Sequence, residues 1–547
     1  MGRLPLIRSP LSKSTDRGYS VTSTVDIKTE DETLFQHPEF EHHEETSNIQ
    51  LFFDLFFVAN LTSFTNAHEI NDIKTLGAYI GFFCMLWFTW AQVTYYDLRF
   101  ATDSVFERVA HACHFGAMVG FAIVGPDFLA NHNAWGPLQQ LSLILMADRL
   151  VLLCQYSSTL FFTWRYREAR IPLMVIILSL IVAAAIYLGV SFAFYRRTAW
   201  HAYSAWYTVA VLEVAVNLLL ASRWRPMSFV KTQLVERLSC LTLIILGEGI
   251  IGLTRTIVNI ERHDLKFTSA DIGTIISAVL IIYFIYQLYF DNTRFEPFGS
   301  RRQQMWSMLH FPFHLALALM MEGTNQMLLV GHVMRDLTKL LQGFSFDATP
   351  QQLSQVLKEK SDLIFSRFSP TQEAMEQVQE HIHALAHPAS NMTQEEKETD
   401  AGVAFLELVR TAVEGFGWEV PETDAQKSGH ADFGEEMKQW GDGATEFFSL
   451  TFTYFSICAG LVCFLIGVLS LLSQRYHPRP SPVRYISIGA NILVGLGISL
   501  LSTMTLTSTI NDMSETPWTL PGLMLILLAL IVLHHLTNVP PKPVDKD

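Results

Sequence analysis

Long apolar runs separated by short polar links dominate this sequence. A helix that crosses a bilayer needs about 20 largely apolar residues. Runs of that kind predict twelve helices, at 49–66, 75–96, 106–125, 138–161, 171–195, 201–221, 236–258, 270–290, 305–332, 446–473, 484–506 and 518–537. The first is short and contains Asp54, Asn60 and Thr62, and the sixth contains Glu213 and Asn217. The expected fold is all-α, a polytopic membrane helix bundle whose first partner is the lipid bilayer. The same pattern sets the organisation. It consists of an acidic, disordered tail over 1–48, a first six-helix repeat over 49–222, and a second built from 236–334 and 446–537. A loop is inserted at 335–445 and a short tail closes the chain at 538–547.

Composition agrees with this reading: half of the 547 residues are apolar and only 16% are charged. The net charge of −14 comes largely from the N-terminal tail and the inserted loop, which argues against nucleic acid as a partner. All six cysteines fall in apolar spans, so neither a disulfide framework nor zinc spacing is expected. The first 48 residues hold no apolar core of a signal peptide, which leaves the first span as the targeting signal. If the N-terminus is cytoplasmic, fifteen Lys and Arg of the short loops and helix ends fall on that side and six on the other. The positive-inside rule then puts both termini in the cytoplasm, in the endoplasmic reticulum or plasma membrane. The inserted loop faces the opposite side, where Asn391-Met-Thr393 is a glycosylation sequon. Two short amphipathic helices are expected in that loop, Pro350 to Phe368 and Pro370 to Leu385, followed by polar, Gly-rich sequence.

Acidic residues inside apolar spans cost several kcal/mol and mark function by default. Asp54 and Glu248 lie 194 positions apart, as do Asp97 and Asp291, and Arg108 and Arg302. With five added residues His111 matches His310. Six spans separate the matching helices, and an even number predicts a parallel six-plus-six repeat.

At these residues the chain resembles the low temperature requirement protein A (LtrA) family of multi-pass membrane proteins. The motifs are Gln50-Leu-Phe-Phe-Asp-Leu-Phe-Phe-Val58, Glu236-Arg-Leu-Ser239 with Leu246-Gly-Glu-Gly249, and Met308-Leu-His-Phe-Pro312. They cover much of residues 49–330. Gln50 stands where the family has Glu, Gly249 stands where it has Ser, and the 335–445 loop looks like an insertion. The resemblance implies a fold more than an activity. Some fungal relatives resemble membrane terpene cyclases of meroterpenoid pathways.

Two functional readings follow. The first is an intramembrane enzyme that protonates a lipid-soluble isoprenoid and guides its cyclisation or isomerisation. It needs an acid, a base and a dry apolar cavity, with no cofactor and no metal. Its candidate catalytic groups are Asp54, Glu248, Asp97, Asp291, His310 and His314. Its candidate binding groups are Phe53, Phe57, Trp90, Tyr95, Tyr286, Tyr289 and Glu322, with a small apolar substrate as partner. The alternative is a proton-coupled transporter or channel with Asp54 and Glu248 as proton sites. The aromatic content, with 39 Phe among the 547 residues, favours the enzyme. Plainer readings accompany each group. Asp97 and Asp291 can pair with the arginines that follow them, Arg99 and Arg294, in an interfacial belt. His111/His114 and His310/His314 share helix faces without a carboxylate placed for metal binding. Asp148 and Arg149 point about 100° apart and are expected to seek different partners, with Glu213 as Arg149's. Oligomeric state is not legible.

Overall fold

The computed structural model describes residues 4–11, 40, 47–67, 70–128, 135–197, 200–230, 232–263, 268–293, 300–341, 348–368, 370–388, 392–415, 433–473, 482–506 and 517–537. Among these the chain is helical, with one antiparallel bridge between Leu11 and Phe40. The protein is a polytopic helical membrane bundle. Nine helices come first: α1 (Asn48–Ala67), α2 (Ile73–Phe100), α3 (Val105–Val124), α4 (Trp135–Thr163), α5 (Arg167–Tyr195), α6 (Ser204–Arg223), α7 (Leu234–His263), α8 (Ser269–Asn292) and α9 (Ser300–Leu341). The inserted loop forms α10 (Pro350–Arg367), α11 (Gln372–Ala386) and α12 (Gln394–Gly415), and α13 (Phe433–Ser473), α14 (Pro482–Leu500) and α15 (Thr519–Thr537) complete the bundle. Ten of the twelve helices at expected spans are long and apolar enough to cross a membrane. The other two, α1 and α9, carry polar residues on buried faces: Asp54 and Asn60 in α1, and His310, His314 and Thr324 in α9.

Helix α12 departs from the expected polar, Gly-rich stretch. Ala401, Ala404, Phe405, Leu408, Ala412 and Val413 recur at helical spacing and are buried, so this segment packs with α10 and α11 as a third helix. Its start is a capping box, in which Thr393 N–H donates to Glu396 Oε2 at 2.8 Å and Glu396 N–H to Thr393 Oγ1 at 3.2 Å. This reciprocal bonding holds the exposed Glu396 carboxyl below the usual carboxylate range. Thr349 and Gln352 cap α10 in the same way.

The chain divides into two compact units. The first comprises Met1–Glu248, Phe290–Ala316 and Leu465–Ser481, and the second comprises Gly249–Tyr289, Leu317–Phe464 and Pro482–Asp547. In the first unit α2 is the central helix, buried on every side from Met85 to Phe100. A helix surrounded by protein need not be apolar all round, which is why α2 can carry Gln92, Thr94, Asp97 and Arg99. Helices α1 and α7 run in the same direction, because Asp54 meets Arg237 and Thr62 meets Glu248. Ser104 caps α3 by accepting from Glu107 N–H at 3.3 Å, and two further α3 amides are taken by the N-terminal segment. Val105 N–H donates to the Pro5 carbonyl at 3.1 Å, and Phe106 N–H to that of Leu6 at 3.0 Å.

The second unit holds its own polar contacts. Asp271, near the start of α8, accepts from Arg335 Nε at 3.1 Å and faces His332 Nδ1 at the same distance. Tyr454 O–H donates to Gln326 Oε1 at 2.6 Å. Helices α13 and α14 come so close at Gly460 and Gly495 that a Cβ on Gly460 would strike the Gly495 carbonyl and the Ser499 amide.

Candidate functional site

A half-open cavity of about 600 Å³ lies at one end of the first unit. Its walls come from the N-terminal turn of α1 (Asn48, Ile49, Gln50), the C-terminal turn of α2 (Asp97, Leu98), the link after it (Ala101, Thr102, Asp103), α3 (Glu107, Arg108, His111) and the residues before α7 (Thr232, Gln233). Helix ends converge there, which brings charged and amide side chains to a wall that is otherwise largely apolar. Arg108 Nε reaches Asp103 Oδ1 at 2.9 Å, a pair more than half exposed.

The inner wall is an acid–base pair. His111 Nε2 lies 3.3 Å from Asp97 Oδ2, and His111 Nδ1 donates to the Glu107 carbonyl at 2.9 Å. A carbonyl only accepts, so Nδ1 carries a proton, and Nε2 and the carboxylate share whichever second proton is present. Asp97 Oδ1 is buried and has no hydrogen-bond partner.

Beside this pair a second polar chain runs from the Glu107 side chain into the core. Glu107 accepts from Tyr96 O–H at 2.7 Å and from Gln155 Nε2 at 2.8 Å. Because its amide nitrogen faces that carboxylate, Gln155 turns its oxygen to His114 Nε2 at 2.9 Å. His114 Nδ1 faces Asp148 Oδ1 at 2.7 Å, so both ring nitrogens face acceptors. Arg149 donates from Nη1 to Asp148 Oδ2 at 2.7 Å and from Nε to Glu213 Oε2 at 2.9 Å. Asn217, one turn after Glu213, donates to Gln92 Oε1 at 2.9 Å and accepts from Arg99 Nη1 at 3.0 Å. Asp97, Glu107, Asp148 and Glu213 thus share one buried cluster with Arg99, Arg149, His111 and His114. Four carboxylates against two guanidiniums leave two negative charges, which two protons shared among the carboxyls and the two imidazoles cancel, and every proton lost from that state leaves a buried negative charge. Uncompensated charge in such surroundings is expensive, so the number of protons the cluster holds bears on its stability.

Asp54 lies one turn deeper on α1 than Gln50, and Arg237 one turn deeper on α7 than Gln233. Asp54 Oδ1 accepts from Arg237 Nη2 at 2.9 Å and from Trp90 Nε1 at 2.7 Å, and both charged groups are fully buried. Glu248 accepts from Thr62. Thr62 follows Asp54 by eight residues, which is about 12 Å along a helix. The two acids therefore contact different levels of α1 and do not meet over one void.

The other sequence candidates separate. Phe53 lies edge-on to His114 at 6.4 Å, and Phe57 to Trp90 at 6.4 Å, all of them buried. Tyr95 packs on Phe229 at 5.1 Å. His314 accepts from Trp87 Nε1 at 3.1 Å, and since an indole only donates, His314 Nδ1 is the acceptor and Nε2–H faces Thr242 at 2.9 Å. His310 donates to the Trp306 carbonyl at 2.8 Å. Asp291 is exposed, unlike Asp97, 194 positions before it. Tyr286 is half exposed and Tyr289 buried in the second unit, where Glu322 faces Gln326 at 3.2 Å. Asn391 and Arg294 lie outside the described residues. Among the described residues no group of three or more His, Cys, Asp or Glu is placed to hold a metal ion.

Three expectations need correction or extension. Asp97 pairs with His111 and not with Arg99, which bonds Asn217 and lies 4.0 Å over the Phe229 ring. Arg149 does pair with Glu213, but it also bonds Asp148, because a guanidinium can reach back to its neighbour's carboxylate. The sequence pattern does not single out Glu107, Gln155 and Arg237 as site residues. A carboxylate or arginine in the first turn of a helix has the pattern of an ordinary terminal charge, and only the packing shows these to be inside.

Comparison with known proteins adds one match. The family model described as bacterial low temperature requirement A protein (LtrA) fits residues 45–344, more than half of the chain and all of the cavity wall. No curated protein and no solved structure matches.

Proposed function

This chain belongs to the low temperature requirement A family, and from that premise we propose that it is a proton-coupled membrane transporter. The observation that carries the reading is the hydrogen-bonded set of titratable and amide groups that runs from Glu107 at the cavity through Gln155, His114, Asp148 and Arg149 to Glu213 in the core, with the Asp97–His111 pair beside its outer end. Such a chain can take up a proton at the cavity and redistribute it without exposing a charge to lipid. Three further features fit: the charged side chains on the cavity wall, the shared direction of α1 and α7 that a parallel six-plus-six repeat requires, and the Asp54–Arg237 pair beneath the cavity. In this reading both termini and the cavity face the cytoplasm, and the 335–445 segment with Asn391 faces the opposite side.

The test is proton uptake into proteoliposomes carrying an internal pH dye under an imposed pH gradient. Asp97→Asn and His111→Gln should each reduce uptake at least tenfold. Uptake equal to that of protein-free vesicles, or unchanged in both variants, refutes the reading.

Acid-catalysed cyclisation or isomerisation of an isoprenoid is the second reading. It draws on the volume of the cavity, about 600 Å³, which is in the range of small-molecule sites and holds an acid–base pair. The acid would be Asp97–His111, since Asp54 is bound to Arg237 and Glu248 to Thr62. Microsomes incubated with isoprenoid epoxides and analysed by mass spectrometry test it, with Asp97→Asn as control.

A further inference from the structure

We infer that the cavity of the first unit binds a small organic cation, an ammonium- or guanidinium-bearing molecule, at Asp97 in exchange for one proton of His111. The inference rests on the proton-coupled reading and names the solute class for the same site.

Four observations carry it. Asp97 is 4% exposed, lines the cavity, and has one carboxylate oxygen without any partner. A buried acceptor without a partner, on a residue that lines a cavity, asks for a donor, and a charged donor satisfies it best. The other lining charges do not fill that role, since Arg108 is held by Asp103 at 2.9 and 3.3 Å and both Glu107 oxygens are taken by Tyr96 and Gln155. Ile49, Leu98 and Ala101 add an apolar wall, which suits an organic body more than a bare ion. No group of three ligating side chains exists among the described residues to hold a metal there.

Charge counting gives the exchange. The groups around Asp97 are Glu107, Arg108 and His111 on α3, Asp103 in the link, Asp54 on α1 with Arg237 on α7, Arg99 and Tyr96 on its own helix, and Tyr156 on α4. The tyrosines are neutral. Four carboxylates against three guanidiniums leave one negative charge, which either a second proton on His111 or a bound monocation cancels. Binding one cation therefore releases one proton from His111 to the solvent, and the charge inside the cavity stays constant.

The full-length protein in lipid nanodiscs is titrated with n-butylammonium chloride in a calorimeter, with sodium butyrate and 1-butanol as controls of the same carbon skeleton. Two buffers of different ionisation heat report the protons released. The expected result is saturable binding of butylammonium alone, about one proton released per cation, and weaker binding as the pH is lowered. Asp97→Asn should weaken binding at least tenfold, in line with loss of a charge-assisted contact. Asp97→Glu should restore much of it, and His111→Gln should bind without releasing a proton. If Asp97→Asn does not fold, the pH dependence in the unmodified protein remains the test. Equal binding of butyrate or butanol, affinity independent of pH, or full affinity in a folded Asp97→Asn variant overturns the inference. The proteoliposome assay, repeated with n-butylammonium chloride inside the vesicles as the exchanging cation and protein-free vesicles as the blank, separates the two claims. Cation binding without proton flux removes the transport reading and leaves the cation site, whereas flux without cation binding removes the cation site alone.

Discussion

Arg237→Met is the most demanding test of how this interior is balanced. The substitution removes a charged partner 2.9 Å from Asp54 and leaves the carboxylate with the Trp90 indole at 2.7 Å as its remaining donor. One charge-assisted hydrogen bond is worth about 1.5–3 kcal/mol. Breaking a buried ion pair by removing one partner costs about 3–5 kcal/mol, because a charge is left uncompensated. Asp54→Asn should cost a similar amount, since it strands the guanidinium. The double variant behaves differently. It keeps an oxygen for Trp90, carries no charge, and removes the Arg237 Nε and Nη1 groups, which are buried without acceptors. It should recover at least about half of the loss predicted for either single variant. The measurement is the apparent melting temperature of each purified protein in one detergent. At roughly 2 °C per kcal/mol for a body of this size, the single variants should fall by about 6–10 °C. A double variant that melts as low as the sum of the two singles would show that the pair is not coupled, and the charge accounting would fail with it.

Three other outcomes follow from the same geometry. Gly460→Leu should lower the yield of folded protein and its melting temperature, because the new side chain has no room against the α14 backbone; unchanged melting would refute the close crossing. The first turn of α12 should keep its cap at neutral pH and lose it as the pH falls below about 4. The Glu396 carboxyl is held below its ordinary range, so the stabilisation is present above the unfolded value and lost on acidification through the folded one, which amide exchange at 394–397 would report. Asn391→Gln should abolish an endoglycosidase-sensitive shift in gel mobility if the inserted loop faces the lumen, and a protein that never shows that shift argues for the opposite orientation.

The spans were legible because a bilayer demands runs of about 20 apolar residues, and such runs stand out in any sequence. The family motifs were legible for the same local reason. The site was only partly so. Asp54, Asp97, Asp148, Arg149 and Glu213 attract notice as charges in apolar surroundings, and the Arg149–Glu213 pair follows from there being few partners to choose from. What a single sequence does not carry is which helix faces which. Asp54 and Glu248, 194 positions apart, contact α7 and α1 respectively at different levels. Gln155 reads as one more polar residue in an apolar helix, yet it bridges His114 to Glu107. Asp97 and Asp291 look alike in sequence, and burial separates them because only Asp97 ends a helix that the rest of its unit surrounds.

Pro5 and Leu6 lend their carbonyls to the first amides of α3, next in sequence to Thr102, Asp103 and Glu107 of the cavity wall. The amino end of the chain is thereby moored at the entrance. A fluorescent protein or affinity tag joined there would sit over the doorway, so uptake and binding are best measured with the label at the carboxyl end.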